Sequence, residues 1–265
     1  MSQAALRPLT VGEILDQSFG LYRRYLPVLV TIAVVCTLLP QVALAWWAVT
    51  MEPADVVRHF GLYILLVVAA VIAGALSAGA STLVLCEGYL GRTLPTGDAL
   101  RRAWALLLSI IGISIETSLA VFLGALLLII PGIIVACGYA VATQALMVEP
   151  GLKMQTAMSR SWALTKGSRL RVFGVLFVTC VILAVIIFGA AAVLGLIGSA
   201  AGLSTKGTGT EPSFAFEVAF QAGSIIVKTV LMPLLTCALT VTYFDLRVRA
   251  EGFDLEALAA ALPAA

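Results

Sequence analysis

Charge is scarce in this chain: 11% of its 265 residues are charged, against 61% hydrophobic. A soluble domain carries about 25% charged residues to cover its surface, so a water-soluble globular fold is excluded. Disorder is excluded too, because it needs low hydrophobicity and high charge. Histidine occurs once, at His59, and reads as an exposed loop residue. The five cysteines, Cys36, Cys86, Cys137, Cys180 and Cys237, form no CxxC and no Cys/His cluster, so zinc and redox motifs are lacking. Set within apolar runs and odd in number, they read as small apolar fillers. There is no GxSxG, HExxH or P-loop. The stretch GLSTKGTG at 202–209 reads as a flexible outer loop. No basic soluble surface with interleaved aromatics is present for nucleic acid. The expectation is a protein that is not an enzyme, with no cofactor and no metal.

Long apolar runs are what the chain does have. A helix crossing roughly 30 Å of hydrocarbon needs about 20 apolar residues. Such runs lie at about 26–49, 60–86, 105–130, 132–148, 171–199 and 216–244. The third and fourth are parted only by Pro131-Gly132, which suits a tight hairpin with proline in the first turn of the fourth helix. The N-terminus does not read as a cleavable signal peptide, since Arg7, Glu13, Asp16, Arg23 and Arg24 interrupt it. The predicted fold is all-α: a single integral membrane domain over 1–265 with six spans.

Lysine and arginine set the orientation. All of them except Arg58, Lys206 and Lys228 fall at the termini or in the 87–104 and 149–171 connections. Short Lys/Arg-rich loops stay on the cytoplasmic side. Both termini are therefore expected in the cytoplasm, as an even number of spans requires. The net charge of +2 selects no partner.

The two basic connections resemble each other. Residues 99–106, ALRRAWAL, align without gaps to 157–164, AMSRSWAL, and a fainter copy is ILDQSFGL at 14–21. Each precedes a pair of spans, which predicts three units of interfacial helix, span, span over about 10–92, 97–151 and 155–252. Leu100, Trp104 and Leu107 stand at i, i+4, i+7 with Arg101 and Arg102 beside them. Met158, Trp162 and Thr165 repeat this beside Arg160 and Lys166. Phe19, Arg102, Trp104, Arg160 and Trp162 are thus candidate interfacial anchors, on amphipathic helices in the headgroup layer or in an ordinary aromatic belt. Each unit closes on an acid: Glu87, Glu149 and Glu251. A carboxylate at a helix C-terminus opposes the macrodipole, so cations such as Arg102 and Arg160 are expected to compensate it.

Four strings carry a family resemblance: LTVGEILDQSFGLYRRYLPVL near the start, IIPGII at 129–134, AMSRSWALTKGSRLRVFGVLF at 157–177, and the closing YFDLRVRAEGFDLEAL. In order over nearly the whole chain, they resemble the bacterial membrane domain of glycerophosphoryl diester phosphodiesterase and the related YciC-like proteins. The resemblance implies a six-helix inner-membrane protein without a defined reaction. The phosphodiesterase barrel, with its metal-binding carboxylates and histidine pair, has no counterpart here, so that activity is not carried over.

Two charges remain inside spans, Glu116 in the third and Lys228 in the sixth. Charges at such depth are costly and often mark a pathway or a partner. Similar depth predicts that they face each other as a pair; two separately hydrated side chains is the alternative. The expected function is a non-catalytic membrane protein of the bacterial inner membrane that scaffolds or assists envelope or lipid-associated components. Its expected partners are membrane lipids and a further membrane protein. The alternative is a transporter or channel for a small solute or ion at the Glu116/Lys228 level, and a lipid-processing enzyme ranks third.

Overall fold

The computed structural model describes residues 9–51, 58–149, 151–200 and 213–251. Among the described residues the regular elements are helices: α1 (Val11–Thr50), α2 (Phe60–Tyr89), α3 (Thr96–Ala105), α4 (Leu107–Leu127), α5 (Ile129–Tyr139), α6 (Ala142–Val148), α7 (Met154–Thr165), α8 (Arg169–Ala200) and α9 (Phe214–Glu251). Six stretches are long and apolar enough to cross a membrane: α1, α2, α4, α5 together with α6, α8, and α9. The chain is a helical, multi-pass membrane protein.

Helix α1 begins at Val11 and runs unbroken to Thr50, so the 14–21 segment is the first part of the span and not a separate interfacial helix. A capping box starts it. The Thr10 hydroxyl accepts from the Glu13 N–H, and the Glu13 carboxylate accepts from the Thr10 N–H at 2.8 Å. Pro27 and Pro40 lie inside the helix. Proline is tolerated in membrane helices where side chains and neighbouring helices satisfy the freed backbone groups.

The hairpin between the third and fourth spans turns at Leu128, whose backbone is extended (φ −164°, ψ 148°). That is three residues before Pro131, which becomes the third residue of α5, where an absent N–H still costs no helical bond. A one-residue turn brings the two backbones very close. A Cβ on Gly132 would lie 2.8 Å from the Ala125 backbone nitrogen, and one on Gly124 would lie 3.0 Å from Gly132 Cα. The fourth span is itself divided at Ala140-Val141. At that break the Gly138 carbonyl accepts from Ser161 Oγ at 2.8 Å and Thr165 Oγ1 at 3.3 Å, both on α7.

Packing is densest at one end of the bundle, which carries the 90–106 and 149–168 connections and is called the basic end below. Helix α2 buries Ala75 and most of 79–88 but nothing nearer Phe60, and α9 buries residues only from Thr229 to Arg247. Ala80, Leu83, Ile110, Met147 and Met158 form one core cluster there, and Cys137, Val141, Val172, Tyr243 and Phe244 another. Farther along, Leu65, Phe122, Leu126, Phe188 and Leu196 are exposed and form the lipid-facing surface. Lipid tails are as apolar as leucine, so close packing and polar contacts hold such helices together. Cys86, Cys137 and Cys237 are buried free thiols, and Cys180 is exposed.

Candidate functional site

Polar side chains gather at the basic end and along an open hollow partway up the helices. At the basic end, Glu149 follows α6 and receives hydrogen bonds from Arg160 Nε at 3.0 Å and from the Tyr243 hydroxyl at 3.0 Å. Arg160 also contacts Glu251 through Nη2. Arg247 donates to Glu251 at 3.1 Å and to the Tyr243 hydroxyl at 3.3 Å. Two carboxylates and two guanidiniums thus close a charge-balanced network over α6, α7 and α9. Beside it, Asp245 is 3% exposed. It accepts from Arg249 at 2.8 Å and from the Leu9 N–H at 2.8 Å, while Arg249 donates to the Leu9 carbonyl at 2.6 Å. The start of α1 is thereby latched to the end of α9. Tyr89 stacks on Phe244 at 4.7 Å, adding α2 to the cluster.

Arg160 answers the helix-ending acids as the sequence suggests, but Arg102 does not. Glu87 is met by Arg92 at 3.9 Å. Arg102 is exposed and lines, with Glu87 and Glu149, a hollow of about 280 Å³. The aromatic positions also differ from one another. Trp104 is 63% exposed on α3. Trp162 is half-buried, its ring against Gly138, 5.2 Å from the Tyr139 ring and capped at 4.0 Å by the Arg169 guanidinium. Phe19 is half-buried in α1 near Ser18, Thr179 and Leu234. The shared AxxRxWAL pattern therefore does not confer a shared environment. Gly138 offers α7 a ring-sized recess that has no match around α3. His59 caps the start of α2 edge-on to Trp47, with ring centroids 6.3 Å apart.

Glu116 and Lys228 are not brought together. The Glu116 carboxylate accepts from Gln155 Nε2 at 3.3 Å, so its partner is on α7. Helix α4 packs on α2, α5 and α7, whereas α9 packs chiefly on α1, α2 and α8. Similar depth was the basis for pairing them, and depth does not specify which helices are neighbours.

Lys228 instead lines a cavity of about 470 Å³ between α1, α2 and α9, with Thr37, Gln41, Ser77, Ser81, Thr229 and Thr236 among its walls. Among the described residues Lys228 has no ion-pair or hydrogen-bond partner. It lies about 21 Å along α9 from Phe214, well inside the hydrophobic stretch. A cation at the centre of a bilayer costs about 2.5–3.5 kcal/mol on insertion scales. Thr229, only 8% exposed, also leaves its hydroxyl oxygen without a partner. Gln41 donates to Thr37 at 2.7 Å, and Thr37 donates to the Ala33 carbonyl at 2.8 Å. The cavity therefore offers one ammonium and several hydroxyl donors without an acidic partner. Reading the sequence for single charges misses these walls, although Thr37/Gln41 and Ser77/Ser81 do stand at i, i+4 within apolar runs, a polar stripe on one helix face. Compared with known proteins, the chain matches no family model, no curated protein and no solved structure.

Proposed function

We propose that this chain is a non-catalytic integral membrane protein that assists or scaffolds lipid-associated components of the bacterial envelope. In this reading it lies in the inner membrane with both termini cytoplasmic, as the Lys/Arg distribution favours. In this reading it is also built from three related units, the first with its interfacial segment merged into α1, and is related to the membrane-domain family it resembles. The observation that carries the reading is the network joining Glu149, Arg160, Tyr243, Arg247 and Glu251. It ties the end of α6 and the end of α9 to the middle of α7, Arg102 shares a hollow with Glu149, and Arg101, Arg102, Trp104 and Lys166 are exposed on the same connections. A basic face with an exposed tryptophan suits contact with anionic headgroups or with a membrane partner. Support for the repeat comes from the order of elements, since α3 precedes α4 and α5–α6 as α7 precedes α8 and α9.

The test is purification in mild detergent, with identification of the proteins and lipids retained. A protein partner or a defined set of lipids retained on the basic face, and lost when Arg101, Arg102 and Lys166 are neutralised, is the expected result. Retention that ignores these substitutions overturns the reading. The transporter alternative is favoured by one observation, the polar cavity around Lys228; Glu116 drops out of it because it pairs with Gln155.

A further inference from the structure

We infer that the Lys228 cavity binds an anionic amphiphile, a molecule with an oxyanion head and an acyl chain. The inference deepens the transporter alternative by naming a ligand class, and it rests on that site but not on transport itself. Lys228 is an exposed cation on the wall of this hollow, set within the apolar length of α9 with no carboxylate among the lining residues, so an anionic ligand is the natural counter-ion. Thr229 brings a hydroxyl that is buried and unpartnered at the same wall. Ser77, Ser81 and Gln41 add donors that suit the oxygens of a phosphate or carboxylate. The volume, about 470 Å³, falls in the range of small-molecule sites, about 300–1,000 Å³, and exceeds what a bare inorganic anion fills.

The acyl chain is assigned from a second cavity. An apolar groove of about 260 Å³ lies between α1 and α9, lined by Leu38, Val42, Trp46, Val218, Ala222 and Ile226. Ile225 lines both this groove and the Lys228 cavity, so the two meet at one residue. Trp46, Val42, Val218 and Ile226 are exposed on the surface that faces lipid, and a tail can enter there from the bilayer. Polar head site and apolar tail site then belong to one ligand.

The test uses the full-length protein in a zwitterionic detergent, with native mass spectrometry as the readout. Dioleoylphosphatidylglycerol, dioleoylphosphatidylcholine and free glycerol phosphate are the probes. Phosphatidylglycerol should be retained over phosphatidylcholine. Lys228→Gln should weaken that retention about tenfold or more, the scale of one lost charge-assisted contact, and Lys228→Arg should keep it. Ala222→Trp, which fills the groove without touching Lys228, should also weaken it, whereas Arg58→Gln, just before α2 and lining neither hollow, should not. Free glycerol phosphate binding as tightly as the lipid would overturn the amphiphile assignment. Undiminished lipid retention by a folded Lys228→Gln protein would overturn the site. Arg101, Arg102 and Lys166 are untouched in this readout, so the basic-face reading, which stands on their neutralisation, can fail without affecting it.

Discussion

Arg160 reaches carboxylates from two different helices, Glu149 after α6 and Glu251 at the end of α9. Burial opposes the guanidinium's charge, but hydrogen bonds to Glu149 and Glu251 outweigh it and hold the pKa above the usual arginine value. The side chain is 27% exposed, so water screens part of the attraction and the full buried-pair cost does not apply. Arg160→Ala is expected to destabilise the protein by about 1–3 kcal/mol, measured by thermal unfolding in detergent. Arg160→Lys should recover only part of this, because one ammonium lacks the fork that spans two acids. A lysine variant as stable as the wild type would show that the bridge is dispensable.

Two glycines decide how the helices meet. In the hairpin of α4 and α5, a Cβ on Gly132 would meet the Ala125 backbone, not a flexible side-chain tip. Overpacking of this kind costs about 1–3 kcal/mol, so Gly132→Ala should lower the unfolding temperature while Gly189→Ala, with open space around it, should not. The recess at Gly138 sets a second expectation. In variants retaining one tryptophan, Trp104 should be quenched strongly by lipid brominated near the headgroup. Trp162, half-buried against Gly138, Tyr139 and Arg169, should be quenched more weakly than Trp104 by either headgroup- or tail-brominated lipid. Strong quenching of Trp162 would mean that α7 lies on the membrane surface rather than against α5.

At the scale of the whole molecule, burial is concentrated at the basic end and thins toward the opposite end. The latch of Leu9 to Asp245 and Arg249 shows that α1 begins where α9 ends. The start of α1 and the end of α9 therefore lie on one face of the bundle. Under the proposed orientation that face is cytoplasmic. Cysteines introduced at Lys153 should then be protected from an impermeant reagent in intact cells, and cysteines at Pro53 and Lys206 should react. Labelling at Lys153 from outside would reverse the orientation and leave the packing intact. Phe122, Leu126, Phe188 and Leu196, exposed away from the basic end, should accept apolar replacements with little effect. Charged replacements there should block insertion, since lipid offers no partner.

Composition and the spacing of apolar runs by themselves determined the class, the six spans and the hairpin near Pro131. A bilayer demands a set length of apolar helix, and both length and hydropathy are properties of the chain read in one dimension. The pairing of Arg160 with helix-ending acids was legible for the same reason, because charge and position relative to helix ends are linear. Rotation and neighbourhood are not. Only the tertiary structure decided that Glu116 meets Gln155 while Lys228 lines one hollow with Thr37 and Gln41 of α1. It also decided that Trp162 packs half-buried against α5 while Trp104 is exposed, and that Tyr243 and Arg247 complete the network at the basic end. Residue number sets a side chain's depth along the membrane normal. Which helix stands opposite depends on close approaches at glycine and on side-chain hydrogen bonds between segments far apart in sequence.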